Sequence, residues 1–289
     1  MVIIALVLLG LCFGSFVNAL VWRTRQQSIN NKQKTISSKQ LSILSGRSQC
    51  VNCGHQIAAI DLIPVISWLF LRGRCRYCQK PISWQYPIVE ITLGLIFAVS
   101  YYFWFNPVEL ISHSTGAGPI GAGQWLLFVT WLSTSVGLLA LAVYDIRWML
   151  LPNKILYPTF LVAITGRLAY ILFFSHDIAH SFWLLALSLL VAGGIFWLIY
   201  IFSRGKAIGF GDVRLGAVTG TVLAGPLLSL QMIFIASVLG TVAILPGLLS
   251  RHKTLTTKVP YGPFLIMAAF IVLLFGASFS GWYQNLILP

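Results

Sequence analysis

The stretch SFWLLALSLLVAGGIFWLIYIF, residues 181–202, runs 22 residues without a charged side chain. About 20 such residues cross the hydrocarbon of a bilayer as a helix. Its neighbours share its character: hydrophobic residues fill 58% of the 289 positions and charged ones 9%, too few to cover a water-facing surface. Further apolar runs lie near 1–22, 84–105, 124–143, 155–174, 213–229, 231–249 and 261–283. Polar or Gly- and Pro-bearing breaks separate them. The expected fold is an all-α polytopic membrane protein of about eight transmembrane helices. Its least distinct break, at Gly225-Pro226 and Ser229, divides the sixth helix from the seventh.

Charge sets the expected orientation, because Lys and Arg collect in loops that stay cytoplasmic. With eight spans, 18 of the 19 basic residues fall in alternate connections on one side. Those connections include Arg147 and Lys154, Arg204, Lys206 and Arg214, and Arg251, Lys253 and Lys258. The opposite loops carry Glu109, His113, His176, Asp177 and His180. The basic loops are therefore expected inside and both termini outside. Only Arg167 departs, within the fourth span, where a long side chain can snorkel. Topology accounts for the net charge of +13, so nucleic acid is not invoked as a partner; the bilayer and its anionic headgroups are. Met1–Trp22 lacks a basic n-region and a small-residue cleavage site, so it reads as a retained first helix.

The chain divides into the first helix (1–22), a cytoplasmic loop (23–83) and a helical bundle (84–289). Residues 24–49 are rich in Gln, Ser, Asn and Lys and read as a linker. Beyond them lie two knuckles, Cys50-Val51-Asn52-Cys53 and Cys75-Arg76-Tyr77-Cys78. Each offers two thiolates from one turn, and four complete a tetrahedral zinc site. Two disulfides or a redox pair are the alternatives; a reducing cytoplasm disfavours the disulfides. Four sulfurs leave no open position on the metal, so its expected role is structural. His55 is a spare ligand, and Cys12 reads as a buried thiol of the first helix.

Six carboxylates serve the whole chain: Asp61, Glu90, Glu109, Asp145, Asp177 and Asp212. A carboxylate at membrane depth costs several kcal/mol and needs a partner or a purpose. Glu109 and Asp177 fall in outer loops, and Asp61 in the cysteine loop, where a basic partner is at hand. Glu90 lies inside the second span. Asp145 stands where the third span meets the cytoplasm and Asp212 where the sixth begins, at one depth. Two such acids can share a proton, one taking a proton from water and the other donating to an amide carbonyl, as in an aspartic peptidase. Gly209 and Gly211 would let an extended substrate backbone approach Asp212. Helix capping, or pairing with Arg147 and Arg214, is the plainer reading of each acid alone.

Several segments resemble bacterial type IV prepilin peptidases, which are also leader-peptide N-methyltransferases. They are Gly14-Ser15-Phe16-Val17-Asn18, the two knuckles around Asp61–Trp68, Tyr86-Pro87-Ile88-Val89-Glu90, Asp145 with Leu151-Pro152, the GxGD run Gly209–Asp212, and Val259–Phe264. The resemblance implies cleavage of basic leaders from prepilins and pseudopilins of type IV pilus and type II secretion systems, at the cytoplasmic face of the inner membrane. It also implies S-adenosylmethionine-dependent methylation of the new N-terminus. Glu90 to Gly94 and the cysteine loop are the expected region for that second activity, although no glycine-rich nucleotide loop is visible. Asn153 departs from the family's usual acid, Arg214 from its Lys, and the first knuckle lacks the common Pro. Two other readings stand beside the peptidase: a proton- or ion-coupled transporter relaying through Asp145 and Asp212, and a non-catalytic assembly protein. No acid lies at mid-bilayer, which counts against the transporter.

Overall fold

The structure is a computed structural model that describes residues 1–33, 46, 48–105, 121–249 and 259–287. Much of the loop 23–83's linker (34–45), the connection with Glu109 and His113, and the segment with Arg251, Lys253 and Lys258 lie outside the described residues. The elements are α1 (Val2–Gln33), α2 (Ile66–Phe70), α3 (Gln85–Phe105), α4 (Ala122–Trp148), α5 (Asn153–Phe174), α6 (Ile178–Phe202), α7 (Phe210–Leu223), α8 (Pro226–Leu249) and α9 (Gly262–Ile287). Among the described residues there is no strand, only isolated bridges at Gln49–Gln56 and Arg74–Pro81. Among the described residues, six helices are long and apolar enough to cross a membrane: α1, α3, α4, α5, α6 and α8.

Three boundaries differ from the expected ones. The first helix does not stop at residue 22 but continues through Gln33, because Arg23–Gln33 contains helix-tolerant Arg, Gln and Lys and neither Gly nor Pro. The linker reading of residues 24–33 is thereby corrected. The sixth helix is not 213–229: it spans Phe210–Leu223 and ends where Ala224 turns left-handed at φ 46°. Pro226, whose missing N–H costs nothing at a helix start, then opens α8. Cys12 lies on an exposed face of α1 and is not buried.

The described chain forms two compact units, 1–100 and 101–289, so most of α3 groups with α1. In the first unit α1 and α3 cross at small residues. Gly10 and Gly14 form a Gly-x3-Gly pair on α1, and a Cβ at either would lie 2.7 Å from the Cα of Gly94 or 2.5 Å from that of Glu90. Such close approach is the usual device where no hydrophobic effect drives helices together in lipid.

In the second unit the helices pair as α4 with α5, α6 with α7 and α8 with α9, and α9 also packs on α4 and α7. The α6–α7 contact depends on Gly216, where a Cβ would sit 2.5 Å from the Ala192 carbonyl oxygen. Gly216→Ala is expected to cost about 1–3 kcal/mol by overpacking. Gly193→Ala on the facing helix, where the nearest atom to a new Cβ is 3.8 Å away, should be close to neutral. Unfolding midpoints of the two variants in one detergent check the contrast, and equal midpoints would refute this packing.

Candidate active site and candidate metal centre

One end of the second unit gathers the C-terminus of α4 and the N-termini of α5, α7 and α9. Asp145 is three residues from the end of α4 and only 5% exposed. Met149 closes that helix left-handed at φ 52°, its N–H bonding the Asp145 carbonyl at 2.8 Å. Leu151-Pro152 then turns the chain into α5. Asp212 lies in the first turn of α7, its N–H bonded to the Gly209 carbonyl at 3.0 Å. The partial positive charge of a helix N-terminus favours a carboxylate there. Asp145 and Asp212 are within electrostatic reach of each other. The two acids thus lie at the same end of the bundle.

The late segment completes this end. The Gly262 N–H donates to Oδ2 of Asp145 at 3.1 Å, and a Cβ on Gly262 would lie 2.7 Å from that oxygen. Only glycine brings its amide so close. Tyr261 is within electrostatic reach of Asp212, with its hydroxyl 3.4 Å from that of Ser237. The segment Val259–Phe264 is visible as a motif in the sequence, but a backbone donor has no side-chain signature, so its contact with Asp145 is not legible there.

The two glycines before Asp212 differ. A Cβ at Gly209 would meet nothing closer than Asp212 Oδ2 at 3.5 Å, so this face is open. At Gly211 it would press on Leu151 at 3.0 Å, so Gly211 serves the contact between α7 and the turn into α5. Arg214 does not pair with an acid: its guanidinium donates to Oδ1 of Asn153. Two of the positions that depart from the family pattern are therefore partners.

In the first unit the cysteine loop repeats one turn twice. Cys50 N–H bonds the His55 carbonyl and Gly54 N–H bonds that of Cys50, both at 2.9 Å. Cys75 with Lys80, and Gln79 with Cys75, do the same at 3.0 Å. The sulfurs of Cys50, Cys53, Cys75 and Cys78 lie within 4.8 Å of one another, with Cys50 and Cys78 at 3.9 Å. Bonds of about 2.3 Å to a tetrahedral zinc put sulfurs about 3.8 Å apart, so the donor set fits a metal ion. Burial pushes the Cys50 thiol up, but the N–H groups of Cys53 and Asn52 and the neighbouring thiols hold it down, to about 7. For Cys78 the Lys80 N–H lowers the value, yet desolvation and the other sulfurs push it up to about 11. A cation would resolve this competition for protons. His55 is not a ligand here; its ring lies 3.7 Å from that of Tyr77 and joins the knuckles. Asp61 pairs with Arg76 at 2.7 Å.

Glu90 is 6% exposed and finds a backbone partner instead of an arginine: the Val65 N–H donates to its Oε2 at 2.7 Å. This bond ties the cysteine loop to α3 just where Val65 turns left-handed, φ 61°. Gly94 is occupied by the crossing with α1.

A polytopic helical bundle with paired acids at one end and a four-sulfur loop belongs among membrane-embedded proteins with an acidic centre. Residues 131–245 match the type IV leader peptidase family, and residues 8–104 match the bacterial peptidase A24 N-terminal domain. Among similar proteins, the prepilin leader peptidase/N-methyltransferase of Aeromonas hydrophila is 30% identical, covering 96% of this chain and 91% of that protein. The protein of the same name from Stutzerimonas stutzeri is 28% identical, covering 97% and 93%. The type 4 prepilin-like proteins leader peptide-processing enzyme of Escherichia coli O78:H11 is 31% identical, covering 93% of each. No solved structure matches. This chain belongs to the type IV leader peptidase family.

Proposed function

We propose that this chain is an inner-membrane aspartic endopeptidase that removes basic leader peptides from prepilins and pseudopilins, using Asp145 and Asp212, and then N-methylates the new N-terminus. The observation that carries this reading is the placement of two scarce carboxylates at the same end of the bundle, with Asp145 oriented by the Gly262 amide. Family membership over nearly the full chain supports the substrate class, and gives the transporter alternative no support.

In the proposed reaction, the ionised carboxylate takes a proton from water as the water oxygen bonds to the scissile carbonyl carbon. The protonated carboxyl gives its proton to the carbonyl oxygen. Collapse of the tetrahedral intermediate breaks the C–N bond: the departing amine takes the proton that the first carboxylate drew from water, and a hydroxyl of the intermediate returns its proton to the other carboxylate. Gly209 leaves an open face beside Asp212 along which an extended backbone can lie, while Gly211 holds α7 against Leu151.

The functional division we propose follows the family domains, with peptidase chemistry in the bundle and methyl transfer in the N-terminal part. Cys50, Cys53, Cys75 and Cys78 would hold a zinc ion that is structural, since four sulfurs close its coordination shell. S-adenosylmethionine is the proposed methyl donor. The Gly10–Gly94 crossing is closed by backbone contact and offers it no cradle, so no step is assigned to Glu90 or Gly94; they frame the region. Basic loops and both aspartates are proposed at the cytoplasmic face, with both termini outside.

The test is incubation of purified protein in lipid nanodiscs with a prepilin and with a pseudopilin, read by mass spectrometry. Leader loss followed by an added methyl group on the new terminus is expected. An intact leader on both substrates, from protein that carries its metal, would sink the proposal.

A further inference from the structure

The helix that carries Asp212 is too short for the membrane it sits in. At 14 residues α7 is about 21 Å long, against about 30 Å of hydrocarbon. Its last carbonyls therefore end inside the bundle, where an unpaired one costs several kcal/mol. The protein supplies three partners. Ala224 N–H and the Ser188 hydroxyl both bond the Gly220 carbonyl, at 2.8 and 2.7 Å. Arg167, from the middle of α5, takes the next two: Nη2 donates to Val222 O at 2.7 Å and Nε to Thr221 O at 3.5 Å.

Arg167 is the one basic residue that breaks the sidedness pattern, and it does not snorkel. Its side chain is partly buried and lines a cavity of about 270 Å³ whose wall is mostly apolar, with Thr130, Thr134 and Tyr170 among its few polar members. A cation at a helix C-terminus faces the negative end of the peptide dipoles, an interaction that strengthens as water is excluded. The same helix α5 also grips the other end of α7, through Asn153 and Arg214, two residues beyond Asp212. Gly216 fixes the sideways contact with α6. These contacts hold α7 at both ends and along one side.

We infer that Arg167 is a positioning residue for the peptidase: it caps the truncated α7 within the membrane and thereby sets the height of Asp212 against Asp145. This rests on the reading of Asp212 as catalytic. Arg167 touches neither substrate nor the reacting atoms. Its influence is geometric, and a displacement of about 1 Å at a reacting group can cost about 100-fold in rate.

The test compares wild type, Arg167→Lys and Arg167→Gln in identical nanodiscs, with Asp212→Ala alongside. Three quantities are read: kcat and KM for leader cleavage, and methylation of a pilin whose leader has already been removed. Arg167→Gln should lower kcat by about 100-fold and Arg167→Lys, which keeps the charge and one donor, by about 10-fold. KM should stay within about twofold, and methylation of the pre-cleaved pilin should be unchanged, because the mutated cap lies in the other unit. The inference is overturned if Arg167→Gln cleaves within threefold of wild type, or if methylation falls in step with cleavage, the mark of general destabilisation. Should Arg167→Gln fail to fold, Arg167→Lys decides alone, and a wild-type kcat there refutes the inference. If Asp212→Ala also cleaves normally, the catalytic reading has failed; if Asp212→Ala is inert while the Arg167 variants are normal, only the cap has.

Discussion

Asp145→Asn and Asp212→Asn should each lower leader cleavage by about 10²–10⁴-fold, the usual worth of a positioned acid or base, while leaving the helices intact. Asparagine keeps the shape of the side chain and its hydrogen-bonding reach, so the Gly262 amide still has an oxygen to meet at position 145. What disappears is the ability to take a proton from water or to give one to the carbonyl. The two losses should not add: once one member of a proton-sharing pair is gone the other has no partner, and the double variant should be no slower than the worse single. Asp145→Glu is a sharper probe. Asp145 is 5% exposed beneath Gly262, so an extra methylene has nowhere to go and activity should fall although the charge is retained. Initial rates on one prepilin, with circular dichroism as a folding control, measure all four. Wild-type cleavage by either Asn variant would exclude the pair as the catalytic centre. Unchanged rates in Asp61→Asn, whose carboxylate is held by Arg76 in the other unit, provide the contrast.

The candidate acids are legible because they are scarce: an apolar chain spends a charge at the membrane edge only for a reason, and basic-residue counts predict one depth for Asp145 and Asp212. Their surroundings are not. Gly262 acts through its backbone N–H, and Glu90 through the N–H of Val65, and neither donor leaves a trace in side-chain chemistry. The long apolar runs were legible because hydrocarbon thickness imposes their length, yet α7 was misplaced for the same reason. Hydropathy continues through Leu227 and Leu228, whereas the chain breaks at Ala224-Gly225, where Pro226 must begin a new helix. Arg167 stood out as a lone exception to charge sidedness, and the exception carried information. It marks a helix end buried inside the bundle, which no span-finding rule based on length can represent.

The cysteine loop should depend on its metal more than any other part of the chain. Between residues 48 and 83 the described residues bury only Gly73 and Cys75, so the loop has little core of its own. The Trp68 ring lies 4.1 Å from that of Trp84, tilted by 52°, and its indole N–H reaches the Ile82 carbonyl at 3.3 Å; these contacts fix the segment after Leu71 but not the first knuckle. Binding of zinc to four thiolates is worth about 10–16 kcal/mol near neutral pH, far more than such contacts supply, so coordination and folding of the loop should be one event. Metal analysis of the purified chain should find about one zinc per molecule, and Cys50→Ser with Cys75→Ser should abolish it. Removing one ligand from each knuckle leaves two sulfurs, too few for the site. On chelation, limited proteolysis should cut within 50–80 while the bundle, which holds no ligand, stays resistant. Acidification should release the metal, because protons compete with it for the four sulfurs. Zinc retained by the double Ser variant, or two disulfides found by mass spectrometry in protein prepared without oxidant, would refute the site. The second result would also overturn the cytoplasmic placement of the loop, because a reducing compartment does not keep such bonds.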